Sequence, residues 1–287
     1  MRNRGISLIV IFHKRLKHLR QVLKGVENGT MIPDEIILVE MDIKKSFIPE
    51  SLLDIKHYLL PTTETSSLTI AEARNLGAYW STKDILAFLD VDCIPSADYM
   101  KSIENLQIQD DCLYMGLPKY LSEKVKTVDE YKLKSKSEIH PHRPEQNSVR
   151  QIDDYGMFWS LTFFLTHKTF SKIDGFDINY TGYGAEDTDF AFNAESLGIK
   201  FILTPFEVYH QQHSFYRPPL NSMNSIIKNC NYFYSKWKHW PMINHLQKFA
   251  ERGLVIWNED RTEPIEILKQ PTILEIEATL VVDEPYS

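Results

Sequence analysis

Two aspartates one residue apart, Asp90 and Asp92, stand directly behind the apolar run ILAFL. Carboxylates at the end of a buried strand are costly to keep charged unless something positive sits beside them. Where the chain turns, both can approach one divalent ion, and carboxylate oxygens suit magnesium or manganese, which keep coordination places for phosphate oxygens. The bland reading of Asp90-Val91-Asp92 is an Asp-rich turn helped by Pro95; its place behind an apolar strand favours the chemical one. A second acidic group, Glu186, Asp187 and Asp189, follows the turn Tyr183-Gly184-Ala185 and opens a helical run. Helix N-termini attract acids, which accounts for one or two of the three. Adjacent carboxylates can also divide roles, one binding hydroxyls while the other takes a proton as general base. Last, His210 and His213 lie three apart behind the run KFILTPFEVY. On a turn or helical segment they share a face. With carboxylates they form a divalent-metal set, zinc included; without a partner they are a surface pair.

The elements that must hold these residues read as alternating runs. Ile6 to Phe12 is a buried strand, and Leu16, Leu19, Val22, Leu23 and Val26 follow at helical spacing until Asn28-Gly29. EIILVEMD is a second strand, DIKHYLLP a third and DILAFLD a fourth. Between the last two lies a helix, with Ala71, Ala73, Leu76 and Ala78 permitting close packing. This order predicts an α/β fold with a mainly parallel sheet covered by helices. Ligands on such sheets bind beyond the carboxyl ends of the strands, where Asp42 and Asp90 fall. Arg74, on the helix before the Asp90 strand, could steady a diphosphate or a nearby acid. Trp159 could offer its ring to a sugar, or belong to the core. The charged stretch 119–150 reads as a long loop or excursion, and EDTDFAFNAESLGIK as a helix. The aromatic, basic segment 226–240 either packs on the domain or approaches a membrane surface, and the tail holds short strands that pack back or mediate assembly.

Composition sets limits. The 287 residues carry a net charge of −7, which argues against a general nucleic-acid partner. Three cysteines without CxxC spacing argue against a disulfide framework or thiolate zinc site and favour a reducing compartment. The apolar run Ile6 to Phe12 is too short to span a membrane and is broken by His13 and Lys14, so the expectation is a soluble chain.

In their order, the stretches SLIVIF, ILVEMD, EARNLGAYWSTKDILAFLDVDC, FWSLTFFLTHKTFSKIDGFD, GYGAEDTDF and VYHQQH resemble family 2-type glycosyltransferases of the GT-A fold. The C-terminal half resembles a galactosyltransferase, as in bacterial chondroitin-type polymerases and animal galactosyl- and N-acetylgalactosaminyltransferases. The resemblance implies a GT-A nucleotide-diphospho-sugar transferase fold over residues 1–250. Its nucleotide-sugar half would be 1–118, its acceptor half 151–225, and 251–287 a C-terminal extension. It implies manganese or magnesium, a UDP-sugar donor, and a glycan or lipid-linked saccharide acceptor in bacterial surface-polysaccharide synthesis. The location implied is the cytoplasm or the inner face of the membrane, with peripheral membrane association and homo-oligomerisation left open. The implied donor-binding set is Phe12, Asp42, Arg74, Asp90, Val91, Asp92 and Trp159. Asp42 would lie near uridine and Asp90 would face the ribose or donor sugar. Asp92 would ligate the metal with His210 or His213, Glu186 would hold acceptor hydroxyls, and Asp187 would be the catalytic base. The implied reaction is inverting, with galactose or N-acetylgalactosamine favoured. Two departures stand out: Ala185, where many relatives have a second glycine, and VEMD, where relatives often have two acids and a small polar residue. The rival classes are a nucleotidyltransferase or metal-dependent phosphohydrolase, and a non-catalytic sugar-binding scaffold.

Overall fold

The first strand, β1 (Ile6–Phe12), is buried along its whole length because both its faces are covered. Side chains alternate across a strand. Ile6, Leu8, Val10 and Phe12 therefore meet Leu19, Val22, Leu23 and Val26 of α1 (Leu16–Glu27) on one face. Ile9 and Ile11 face the opposite layer, where the small residues Ala71, Ala73 and Ala78 let a second helix approach closely. The computed structural model describes residues 4–48, 53–63, 67–143 and 146–285.

After α1 the chain forms β2 (Glu35–Asp42), β3 (Ile55–Pro61), the alanine-rich α2 (Ile70–Trp80), β4 (Ile85–Asp90), the short β5 (Cys93–Pro95) and α3 (Tyr99–Asn105). It continues with β6 (Cys112–Leu121), α4 (Glu130–Ser135), β7 (Ser137–Ile139), β8 (Arg150–Ile152), β9 (Thr162–Thr166), α5 (His167–Ile173), α6 (Glu186–Ser196) and β10 (Lys200–His210). The sheet order is β3-β2-β1-β4-β9-β6-β10-β5, with β7 on β6 and β8 on β10. β3, β2, β1 and β4 are parallel, β9 runs antiparallel between β4 and β6, and β6 pairs in parallel with β10. This is the mixed, mainly parallel α/β sheet that the strand runs predict. The register sets Phe12 beside Glu40 and Ile11 beside Asp90, so β1, β2 and β4 end at one edge.

The charged stretch 119–150 departs from the predicted loop. β6 runs on to Leu121, and β7 folds back on it with Tyr120 opposite Glu138. Between them, Leu133 of α4 is buried with Ile94, Leu121 and Tyr209, and Glu130 accepts a hydrogen bond from the Tyr209 hydroxyl at 2.8 Å. One buried leucine suffices to seat so short a helix, which is why no apolar period betrays it. Residues 144–145 of the stretch lie outside the described residues.

Beyond β10 come β11 (Phe215–Tyr216), α7 (Met223–Trp237) and α8 (Ile243–Glu251). They have their own core, in which Ile226, Ile227 and Cys230 meet Trp240, Leu246, Phe249, Trp257 and Ile265. The tail then forms β12 (Val255–Ile256), β13 (Glu266–Ile267), α9 (Ile273–Glu277) and β14 (Leu280–Val281), with β13 paired to β12 and β14 to β11. Among the described residues no helix is long and apolar enough to cross a membrane.

The turn before α6 touches this second core. Gly184 has φ +102°, and a Cβ there would lie 2.5 Å from Met242 Sδ, whereas Gly198, at φ +69°, faces open space. Alanine is strained at both positions, but only at Gly184 does it also overpack. The contacting atoms are the movable end of a flexible methionine, so Gly184→Ala is expected to cost about 1 kcal/mol more than Gly198→Ala in denaturant unfolding; equal costs would refute the close approach.

Candidate active site

Antiparallel pairing of β5 with β10 puts His210 opposite Cys93, and the Gln211 amide donates to the Asp92 carbonyl at 2.7 Å. Asp92 is thereby fixed at the end of β10. Its carboxylate oxygens lie 3.6 Å from His210 Nε2 and 3.3 Å from His213 Nε2, and one ligating atom from each residue falls within 4.8 Å of the others. The sequence leaves open which histidine joins Asp92; the structure brings both. Arg15 at the start of α1 also pairs with Asp92. Burial alone would raise the Asp92 carboxyl, but His210, His213 and Arg15 more than offset it and hold it well below the usual carboxylate range. Burial pushes the His210 imidazole down to about 4, against the pull of Asp92. An ionised carboxylate beside a neutral imidazole is a donor set for a first-row divalent cation, and manganese fits it.

Arg74 of α2 organises the other half of the crevice. Only 4% exposed, it donates through Nη2 to Ser160 Oγ at 2.7 Å and to Asp90 Oδ1 at 3.4 Å, and through Nη1 to Glu186 Oε1 at 3.2 Å. It thus bridges the end of β4 and the start of α6. Burial, with Asp92 and Asp187 nearby, raises the Asp90 carboxyl to about 6 against the opposing Arg74 charge. Burial and the neighbouring Asp187 raise Glu186 to about 7, again against Arg74. Asp187 Oδ1 accepts from the Thr188 amide at 2.8 Å, anchoring the carboxylate at the positive end of α6. Ala185, just before this helix, takes the left-handed conformation at φ 70° that favours glycine.

The third acid of the cluster has a different task. Asp189 accepts from the Tyr180 hydroxyl at 2.9 Å, from Trp237 Nε1 at 2.7 Å and from Lys236 Nζ at 2.7 Å. It anchors α6 to α7 and does not face the crevice groups. Asp42 stands at the end of β2, its Oδ1 accepting from the Ile43 amide at 2.7 Å and its Oδ2 3.9 Å from His13 Nδ1. The Phe12 and Val91 side chains lie in the core under α1. Trp159 lies beneath a guanidinium, with the Arg143 Cζ 3.3 Å from its ring centroid, and meets His140 edge-on at 4.9 Å.

Arg15, His18, Ser160, His140 and Arg143 are the residues that sequence reasoning passes over. The His18 and His213 rings are 6.0 Å apart. Arg15 and His18 had a signal: they open the first helix after the first strand, facing the ligand edge of such a sheet. Arg143 had none, being one charge in a charged stretch.

A glycosyltransferase-like family 2 profile matches residues 33–224, from β2 through the histidine pair. The chain belongs to this glycosyltransferase-like family 2. Two validoxylamine A glucosyltransferases are similar to it. That of Streptomyces hygroscopicus subsp. limoneus is 21% identical over 273 residues, covering 80% of this chain and 56% of its own. That of S. hygroscopicus subsp. jinggangensis is 22% identical over 228 residues, covering 68% and 50%. The chain thus spans about half the length of the curated relatives it matches. In fold, this member of the family is similar to GalNAc-T7 in complex with UDP, GalNAc and Mn2+ (TM-score 0.52, 16% identity, 87% of this chain and 55% of that one). It is similar also to S. aureus TarS (TM-score 0.53, 15% identity, 87% and 43%). The architecture is that of a GT-A glycosyltransferase with a candidate metal triad.

The raised Glu186 carboxyl has a consequence for stability. A carboxyl that binds its proton more tightly when folded stabilises the fold fully below about pH 4.5, and that contribution is lost as pH rises to about 7. Glu186→Gln should therefore gain stability relative to the parent across that window, by about 3 kcal/mol. Denaturant unfolding of both proteins below and above the window checks this, and a constant difference would refute it.

Proposed function

We propose that the chain is an inverting, metal-dependent glycosyltransferase. It moves a hexose or N-acetylhexosamine, with galactose or N-acetylgalactosamine favoured, from a UDP-sugar to a glycan or lipid-linked acceptor in surface-polysaccharide synthesis. The carrying observation is the bridge through Arg74, which sets the paired acids Glu186 and Asp187 across one crevice from Asp90, Asp92 and the two histidines. The UDP, GalNAc and Mn2+ held by GalNAc-T7 and the sugar transfer of the validoxylamine A glucosyltransferases support the choice of chemistry. Asp92, His210 and His213 would hold the ion, which when bound offsets charge on the diphosphate leaving group.

The protein groups divide the rest. Asp42 and Asp90 face the nucleotide and sugar hydroxyls at the strand ends. Glu186, steadied by Arg74, holds an acceptor hydroxyl. Asp187 takes the proton from the attacking hydroxyl as that oxygen bonds to the anomeric carbon from the face opposite UDP. The bond from the anomeric carbon to the diphosphate oxygen breaks with its electron pair on UDP, and no glycosyl-enzyme forms. Residues 1–250 would be the catalytic unit and 251–287 an extension.

The test is UDP release from a panel of UDP-sugars with manganese. One donor is expected to turn over, with chelator abolishing the reaction and Asp187→Asn lowering kcat about 100-fold or more. Asp92→Asn should remove the manganese dependence of UDP binding. Absence of manganese-dependent binding to every UDP-sugar would overturn the reading.

A further inference from the structure

Arg143 is 7% exposed, and only one of its nitrogens is engaged: Nη1 donates to the Met157 carbonyl, while Nε and Nη2 have no hydrogen-bond partner among the described residues. Leaving charged N–H groups buried and unpaired is costly, so such an edge is rarely retained without an ordered water or a ligand to meet it. Burial pushes the guanidinium down to about 10, against the pull of Tyr120, Asp187 and Asp154.

Its surroundings place it on the acceptor side. An aromatic wall leads away from the metal triad: the rings of His210 and Tyr120 lie 5.1 Å apart, Tyr120 and His140 5.7 Å, and His140 and Trp159 4.9 Å. The Arg143 guanidinium caps the far end, 3.3 Å over Trp159. The next residue, Ser160, holds Arg74, which holds Glu186. Arg143 therefore stands on the Glu186–Asp187 side, with the rings of Tyr120 and His140 between it and the group that would face the diphosphate. A planar fork with two adjacent, buried and unpaired donors, its plane held by stacking on an indole, matches the paired oxygens of a carboxylate or phosphate better than a neutral hydroxyl.

We infer that Arg143 is an acceptor-recognising residue whose buried, unpaired N–H edge is uncovered by side-chain movement to bind an anionic group, carboxylate or phosphate, carried by the acceptor saccharide. The inference rests on the glycosyl-transfer reading of the crevice. It is tested by calorimetric titration of the full chain, loaded with manganese and UDP, with D-glucuronate, D-glucose 6-phosphate and D-glucose. One anionic sugar should bind about tenfold or more tighter than glucose. Arg143→Gln should erase that preference and leave UDP affinity unchanged, while Arg143→Lys, which keeps the charge without the fork, should retain part of it. A preference for glucuronate identifies an acidic-sugar acceptor, and one for the sugar phosphate a phosphate-bearing acceptor. Equal or undetectable binding of all three sugars overturns the inference, as does an anion preference that survives Arg143→Gln. Loss of UDP affinity in Arg143→Gln assigns the residue to the donor diphosphate and overturns it too. If UDP binds with manganese and no anion preference exists, only this inference falls; if UDP does not bind, the glycosyl-transfer reading falls with it.

Discussion

The buried guanidinium of Arg74, shared between Asp90 and Glu186, is the contact on which the crevice depends. Asp92 and Asp187 both lie near Asp90, and Asp187 lies beside Glu186, so four carboxylates are gathered around this contact. Two of them are already pushed toward neutrality by burial. A positive charge fixed among them offsets mutual repulsion that would otherwise splay β4 from α6. The guanidinium is planar and forked, so one side chain reaches both acids and Ser160 at once, as a lysine could not. Its seat on α2 is itself a packing result, because Ala71, Ala73 and Ala78 bring that helix close to β1 and β2.

The acids of α6 are held from behind as firmly as from the front. Asn229 of α7 donates to the carbonyls of Thr181 at 3.1 Å and Gly184 at 2.9 Å, and Ser225 Oγ accepts from the Tyr183 amide at 3.2 Å. Asp189 adds its contacts to Tyr180, Lys236 and Trp237. A site gains precision when its supporting residues are themselves locked by packing and hydrogen bonds. The family profile ends at residue 224, so nearly all of this support from α7 lies past the residues it matches.

Much of the fold was legible because the sheet is buried on both faces. Strands such as EIILVEMD and DILAFLD then read as continuous apolar runs ending in acids, and the helices between them show apolar spacing. Asp90 and Asp92 were marked by charge at the end of such a run, and the Glu186–Asp187 pair by an acidic cluster behind a glycine-containing turn. What sequence could not separate was the role of Asp189, since three acids at a helix start look alike until tertiary partners sort them. Nor could it show that β5 reverses onto β10, because a three-residue strand carries no period. The fold within the charged stretch was hidden for a related reason: its order comes from pairing β7 to β6 and from the single buried Leu133, both long-range facts.

The seam between β5 and β10 bears on when the molecule becomes competent. Asp92 leaves the first half of the sheet, while His210 arrives on a strand that pairs with β6, β8 and β5, on the far side of β9, which lies between β4 and β6. Contacts of such wide sequence separation form late and slowly, because loop closure must precede them. The candidate cation site is therefore assembled from residues far apart in the chain, and its completion requires the pairing of β5 with β10. An ion that recognises only the closed arrangement lowers the free energy of the finished fold without trapping earlier states. Loss of either histidine would then remove the stabilisation that a bound cation gives to the folded chain.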